Sequence, residues 1–467
     1  MRSKLQSRGF SPFIYFYILT VAAITGLILK NQVVYAGYVL TLTIGLVFLY
    51  SIFQKDTAPF FSIIIFIYAP FLAFLRQYVI SYNGISLILF AALVLWFINN
   101  RQIFIEVIFC KVRIGIILFV FLFVSYGVFI GIPLERFMKF IETALALLVF
   151  SMVLKSVRYV RKYTIYFIAS SSLIILGLLP HIDTRFIFET GNAVHKADPS
   201  AYSIALVLSA FFIIADKNVW VSQMSQEWLR KIKYLLLAFI IVLTILTTSR
   251  IGFFTFAGSY LLFLILSRFN LKQMLPIILV VSLSFVFISN TGYSDIAEHW
   301  FNKTFNNERG ISAATTGRAD QWKMAGVYLV SEPIGNVLGG FGPGKGPIFS
   351  QIYSTRINAI ESMAGGSYQL HSLYLNVLIE FGLIAFVCFL IFLIRRFMKA
   401  YLIFTKLNFK LPILALFAYV LYISSTSGLG VVPGMFIAIF LLNVDDFKRK
   451  KQVIRIGKSK SVSQNKY

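Results

Sequence analysis

His371 opens a run, His371-Ser372-Leu373-Tyr374-Leu375, that continues through Glu380 to Gly382 and into an apolar stretch. A histidine at a helix mouth meets the positive end of the helix dipole. That field disfavours the imidazolium and keeps the ring neutral near pH 7. A neutral imidazole can take the proton from an attacking hydroxyl. Upstream, Gly317-Arg318-Ala319-Asp320-Gln321-Trp322 puts an arginine in the first turn of an expected helix. A cation is unfavourable there unless it shares an anion with the free N–H groups, and guanidinium matches phosphate oxygens bidentately. Arg250 lies in Thr247-Thr248-Ser249-Arg250-Ile251-Gly252, between two apolar spans. An arginine so flanked is costly in lipid and is usually functional. Together these residues supply a base and two cations for an anionic group.

Each has a plainer reading. Arg250 can snorkel to headgroups, Arg318 can pair with Asp320, and His371 can cap a helix or sit at the membrane interface. Gly339-Gly340-Phe341-Gly342-Pro343-Gly344-Lys345-Gly346 nearly matches a nucleotide loop. The match fails at Gly346, where Ser or Thr should hold the metal. The segment is therefore expected to be irregular, a flexible turn region capable of lid motion. The helix after Gly317 is expected to run from Arg318 to Glu332, with Trp322, Ala325 and Leu329 on one face. No Asp-x-Asp and no Cys/His cluster occurs, so neither a cofactor nor a metal is expected.

The chain that must position these groups is 58% hydrophobic and only 13% charged. That is too little polar surface for a soluble globule. Apolar stretches recur and must be helices in lipid. Fourteen spans are expected, near 12–29, 33–53, 58–75, 84–98, 114–130, 137–154, 163–180, 199–215, 234–248, 251–266, 274–288, 372–394, 411–424 and 430–443. The fold class is thus an all-α polytopic membrane protein. One transmembrane domain covers residues 1–443, with a long extracytoplasmic loop at 289–371, and a basic cytoplasmic tail follows at 444–467. The net charge of +25 does not mean nucleic acid. Thirty of the 43 Lys and Arg residues fall on one side of these spans, beginning with Arg2, Lys4 and Arg8. That side is cytoplasmic by the positive-inside rule. The protein is expected in a bacterial cytoplasmic membrane, with both termini inside and His371 outside.

Ser249-Arg250, then Gly317-Arg318 with Trp322, then His371-x-x-Tyr374-Leu375-x-x-Leu378-x-Glu380-x-Gly382 resemble the signature of the O-antigen ligase and polymerase superfamily. The loop with Arg185 and Asp198-Pro199-Ser200 resembles an upstream segment of that signature, with Asp198 and Ser200 in place of asparagines. Ser372 stands where asparagine often follows the histidine. The resemblance covers roughly residues 185–395. It implies a metal-independent, inverting glycosyltransferase body of the GT-C type. The donor and acceptor would be glycans on undecaprenyl diphosphate, with membrane lipids and a chain-length regulator as further partners. His371 would be the base, Arg250, Arg318 and Arg185 the diphosphate ligands, and Glu380 and Tyr374 supporting residues. The leading expectation is polymerisation of lipid-linked repeat units. The alternatives are a ligase that moves the finished glycan onto lipid A-core, and a flippase. A flippase needs charged residues lining a path through the spans, and the first six spans are nearly free of them.

Overall fold

The computed structural model describes residues 12–30, 32–53, 82–99, 134–155, 250–266, 318–342, 344–356, 370–407, 409–426 and 431–442, together with scattered single residues, chiefly within 203–211 and 237–244. Every described element is a helix: α1 Pro12–Leu29, α2 Val33–Phe53, α3 Tyr82–Asn99, α4 Leu134–Lys155, α5 Arg250–Leu266, α6 Arg318–Ser331, α7 Ile334–Gly339, α8 Gly346–Arg356, α9 Leu373–Leu407, α10 Leu411–Ile423 and α11 Val431–Phe440. Eight of the fourteen expected spans coincide with these helices, at 12–29, 33–53, 84–98, 137–154, 251–266, 372–394, 411–424 and 430–443. The other six lie wholly or mostly outside the described residues. Among the described residues, two stretches are long and apolar enough to cross a membrane, Tyr35–Phe53 and Leu373–Lys406.

The packing order follows from which helices are apolar all round. α10 is buried on nearly every side, from Leu411 to Ile423, as expected of a helix without a polar face. It packs against α5, α9 and α11, while α11 packs on α4, α4 on α3, and α1 on α2. Small residues bring helices close where no hydrophobic force separates protein from lipid. A Cβ at Gly434 would meet the Thr143 carbonyl oxygen at 2.7 Å and the Ala146 Cβ at 2.8 Å. Gly252 likewise lies directly against Ser203. Helices α5 and α10 are antiparallel: Lys410, before α10, sits 4.3 Å from the ring of Phe263 near the end of α5, and Gly258 approaches Leu421. The first residue of α5, Arg250, is therefore at the same end of the bundle as the last turn of α10.

The polar segment builds its own core against the start of α9. Met324, Ala325 and Tyr328 from α6, Val337 from α7, Phe349 and Tyr353 from α8, and Leu375, Leu378 and Ile379 from α9 are all buried together. Phe349 stacks on Tyr353 at 4.7 Å and Tyr328 meets both rings edge-on. The Tyr353 hydroxyl donates to Glu332 Oε1 at 2.5 Å, and the Tyr328 hydroxyl to the Asn336 carbonyl at 2.7 Å. This corrects two expectations. The glycine-rich region is not wholly irregular, because α7 and α8 flank the turn. The inner face of α6 is Gln321, Met324, Ala325 and Tyr328 rather than the Trp322 face, and both Trp322 and Leu329 are exposed. Spacing alone leaves a short amphipathic helix with two candidate faces, and the aromatic cluster selects one.

α9 is not a straight rod. Gly382 has φ +82° and ψ 177° and interrupts the helix. Tyr374 and Phe389 lie fifteen residues apart, a separation of about 22 Å in a continuous helix, yet their ring centroids are 6.0 Å apart. The arms 373–381 and 383–407 therefore fold toward one another at Gly382. A break in an apolar helix frees carbonyls that must be satisfied. Here the Phe341 N–H donates to the Ile379 carbonyl at 2.7 Å and the Gly342 N–H to the Glu380 carbonyl at 3.0 Å. A Cβ at Gly382 would run into the Leu338 carbonyl. Gly382→Ala is thus expected to destabilise the fold by about 1–3 kcal/mol from the backbone conformation alone, which is essentially restricted to glycine, with displacement of α7 added. Gly326→Ala, in helix α6 with open space around the site, is expected to be stabilising by up to about 1 kcal/mol. Thermal unfolding of the two variants in detergent checks the opposite signs.

Candidate active site at the mouth of α9

Three elements converge at His371. The His371 backbone N–H donates to Gln321 Oε1, one turn into α6, at 3.0 Å. The next residues are stitched to the end of α10: Ser372 Oγ donates to the Ile423 carbonyl at 3.4 Å, and the Leu373 N–H to the Thr426 carbonyl at 2.9 Å. Asn376 turns its side chain back to donate to the Leu370 carbonyl at 3.2 Å. The backbone carrying the histidine is thus fixed from both sides, while the residue itself is exposed. No hydrogen bond from the ring is found among the described residues. Crowding by the protein lowers the imidazole pKa from its ordinary value, and the Arg318 guanidinium lowers it further. The ring is therefore neutral at pH 7, with a lone pair able to accept a proton.

Arg318 is the first residue of α6, and its charge reaches His371. Asp320, buried in the first turn, lies 3.6 Å from Lys323. Arg250 opens α5 at the same end of α10 that receives Leu373 and Ser372. The fold thus brings Arg318 and His371 together and carries the Arg250 position to the same end of the bundle. Arg185 lies outside the described residues. Tyr374 donates its hydroxyl to the Val420 carbonyl at 3.3 Å and so ties α9 to α10. Among the described residues no three His, Cys, Asp or Glu side chains converge as a metal site would require.

Glu380 lies nine residues beyond His371, about 13 Å along the first arm of α9. The break at Gly382 follows it directly, so it stands at the elbow between the two arms. It is 1% exposed, and its carboxylate accepts the Gly344 N–H at 3.0 Å and the Gly346 N–H at 3.3 Å. Gly346 is the first residue of α8, so the carboxylate sits at a helix N-terminus, where a negative charge is favoured. The glycine run resembles a phosphate loop because it does wrap an anion, and that anion belongs to the chain itself. Gly340, Gly342 and Gly344 all have positive φ, which lets consecutive N–H groups face inward.

Glu380→Gln is therefore expected to act through the loop rather than at His371. One carboxylate oxygen becomes an NH₂ that cannot accept, and about 1–3 kcal/mol of buried hydrogen bonding is lost. The check is limited proteolysis across 339–346 alongside turnover. The prediction fails if turnover drops while the loop stays as protected as in the parent. Sequence reasoning did not single out this cradle, nor Gln321. Gln321 has the one legible signal, since it lies one helical turn after Arg318.

Residues 235–390, about a third of the chain, match the family model described as O-antigen ligase (Wzy_C). No curated protein matches the chain. The matched segment holds Arg250, Arg318, Gln321, the glycine cradle, His371 and Glu380, and members of that family are membrane-integral, glycosyltransferase-like enzymes that act on lipid-linked glycans. Over residues 235–390 the chain is similar to the O-antigen ligase family.

Proposed function

We propose that the protein polymerises undecaprenyl-diphosphate-linked oligosaccharide repeat units at the outer face of a bacterial cytoplasmic membrane. The observation that carries this reading is the pairing of a pKa-lowered His371 with Arg318 at the start of α6. Glycosyl transfer from a lipid diphosphate needs a base for the incoming hydroxyl and cations for the leaving diphosphate. His371 removes the proton as the hydroxyl attacks the anomeric carbon. Arg318 and Arg250, with Arg185, stabilise the charge that develops on the diphosphate as the glycosidic C–O bond breaks. Arginine does this through paired N–H donors aimed at phosphate oxygens. No metal takes part in this scheme. Attack opposite the leaving group inverts the anomeric centre.

The second reading is a ligase that transfers the finished glycan to lipid A-core, and the description of the matched family favours it. Both reactions use the same donor and the same groups and differ in the acceptor. The glycan pattern of a deletion strain separates them. Loss of a polymerase leaves single repeat units attached to the cell surface. Loss of a ligase leaves long chains still on the carrier lipid. A normal pattern in the deletion strain refutes both.

A further inference from the structure

The short helix α7 has a face with no polar side chain. Val337 points into the core, and the only polar side chain, Asn336, donates to Glu332. Besides Asn336, which is itself exposed at the side of the helix, the outward residues are Ile334, Gly335, Leu338 and Gly339. Ile334 is 77% exposed, and Val330, at the preceding turn, is 89% exposed. A six-residue helix without a charge is a poor surface to offer to water.

Two measures place this face relative to a bilayer. The Leu338 carbonyl lies directly against Gly382, so α7 sits at the level of the break in α9. From Gly382 to Arg395, the first basic residue of the long arm, is thirteen residues, or about 20 Å. A hydrocarbon core is about 30 Å thick. If Lys399 marks the boundary, the distance is still only about 26 Å. The neighbouring α10 agrees, since Lys410 to Ile423 also spans thirteen residues, about 20 Å. Tilt shortens these spans further. The break, and α7 with it, therefore falls short of the far headgroups. The outward residues of α9 just past the break, Ile384 and Val387, are exposed and apolar, so the α7 face continues the lipid-facing surface of the long arm.

We infer that the Ile334–Leu338 face of α7 is a membrane-docking surface, inserted among the acyl chains of the leaflet opposite Arg395 and Lys410. The inference rests on the membrane-integral reading of α9. It gives the polar segment a second role: rather than hovering as a free lid, it is anchored beside the point where a lipid-borne substrate must present its headgroup. Anchoring at α7 holds the glycine cradle and the start of α8, and through α6 the Gln321 contact to His371, at a fixed depth.

The test uses the full chain in liposomes of phosphatidylethanolamine and phosphatidylglycerol, with Cys110 and Cys388 replaced by serine. Nitroxide labels are placed one at a time by Ile334→Cys and Leu338→Cys. Val387→Cys serves as the lipid reference and Lys323→Cys as the water reference. Labels at 334 and 338 are expected to collide freely with oxygen and to lose relaxation by a nickel chelate, as at 387. Relaxation by the chelate equal to that at 323 overturns the inference by placing the face in water. Protection from both reagents also overturns it, because protein then covers the face, a second copy included. A water-accessible 387 overturns the membrane-spanning reading of α9 and the inference with it. If a label disturbs folding, Ile334→Trp is read instead: brominated lipids are expected to quench more emission than in the parent protein, and equal quenching refutes the docking.

Discussion

His371→Ala is expected to lower turnover of lipid-linked repeat units by about 10²–10⁴-fold, the usual contribution of a positioned base, while the donor still binds. The ring is held by its backbone, through Gln321 and the end of α10, so removing the imidazole leaves the scaffold in place. The pH dependence follows from the sign of the shift. The active form is the neutral ring, and both crowding and Arg318 lower its pKa. Activity is therefore full above the ordinary histidine value of about 6.5 and falls only at pH values below it. Arg318→Gln removes one of the two lowering influences, so the acid limb should move to higher pH. Purified protein with lipid-linked repeat units gives both readouts, binding and product. Full turnover by His371→Ala would sink the base role, and loss of donor binding instead would move His371 to the diphosphate site.

Arg318→Lys and Arg250→Lys are each expected to cost roughly 10- to 100-fold in activity at normal membrane levels. Lysine keeps the charge and loses the planar fork that engages two phosphate oxygens at once. A hydrogen bond to a charged group is worth about 1.5–3 kcal/mol, which sets that range. The two residues reach the site differently: Arg318 opens α6 beside His371, and Arg250 opens α5 where that helix runs alongside the last turns of α10. Near-parental polymer from both lysine variants would show that no diphosphate is held there. A loss confined to donor binding in one and to turnover in the other would separate ground-state recognition from stabilisation of the leaving group.

The candidate residues stood out in the sequence because their surroundings are unusual for their type. Arg250 lies between apolar spans, Arg318 at the wrong end of a helix for a cation, and His371 at the mouth of an apolar run. Helix positions such as Pro12–Leu29 and Val33–Phe53 were legible too, since continuous apolar runs admit one backbone solution in lipid. Only the tertiary structure decided how these pieces meet. Gln321 is an ordinary polar residue on α6 until the fold sets it against the His371 backbone. Glu380 looked like a carboxylate on a straight helix, because hydropathy does not record a backbone reversal; a glycine in an apolar run is common, and only the fold shows that Gly382 has a positive φ and lies against the Leu338 carbonyl. The glycine run between 339 and 346 read as a flexible turn in the sequence, because its match to a nucleotide loop fails at Gly346. Glu380 fills it because the break in α9 places that carboxylate at the start of α8, a long-range coincidence that local sequence does not encode.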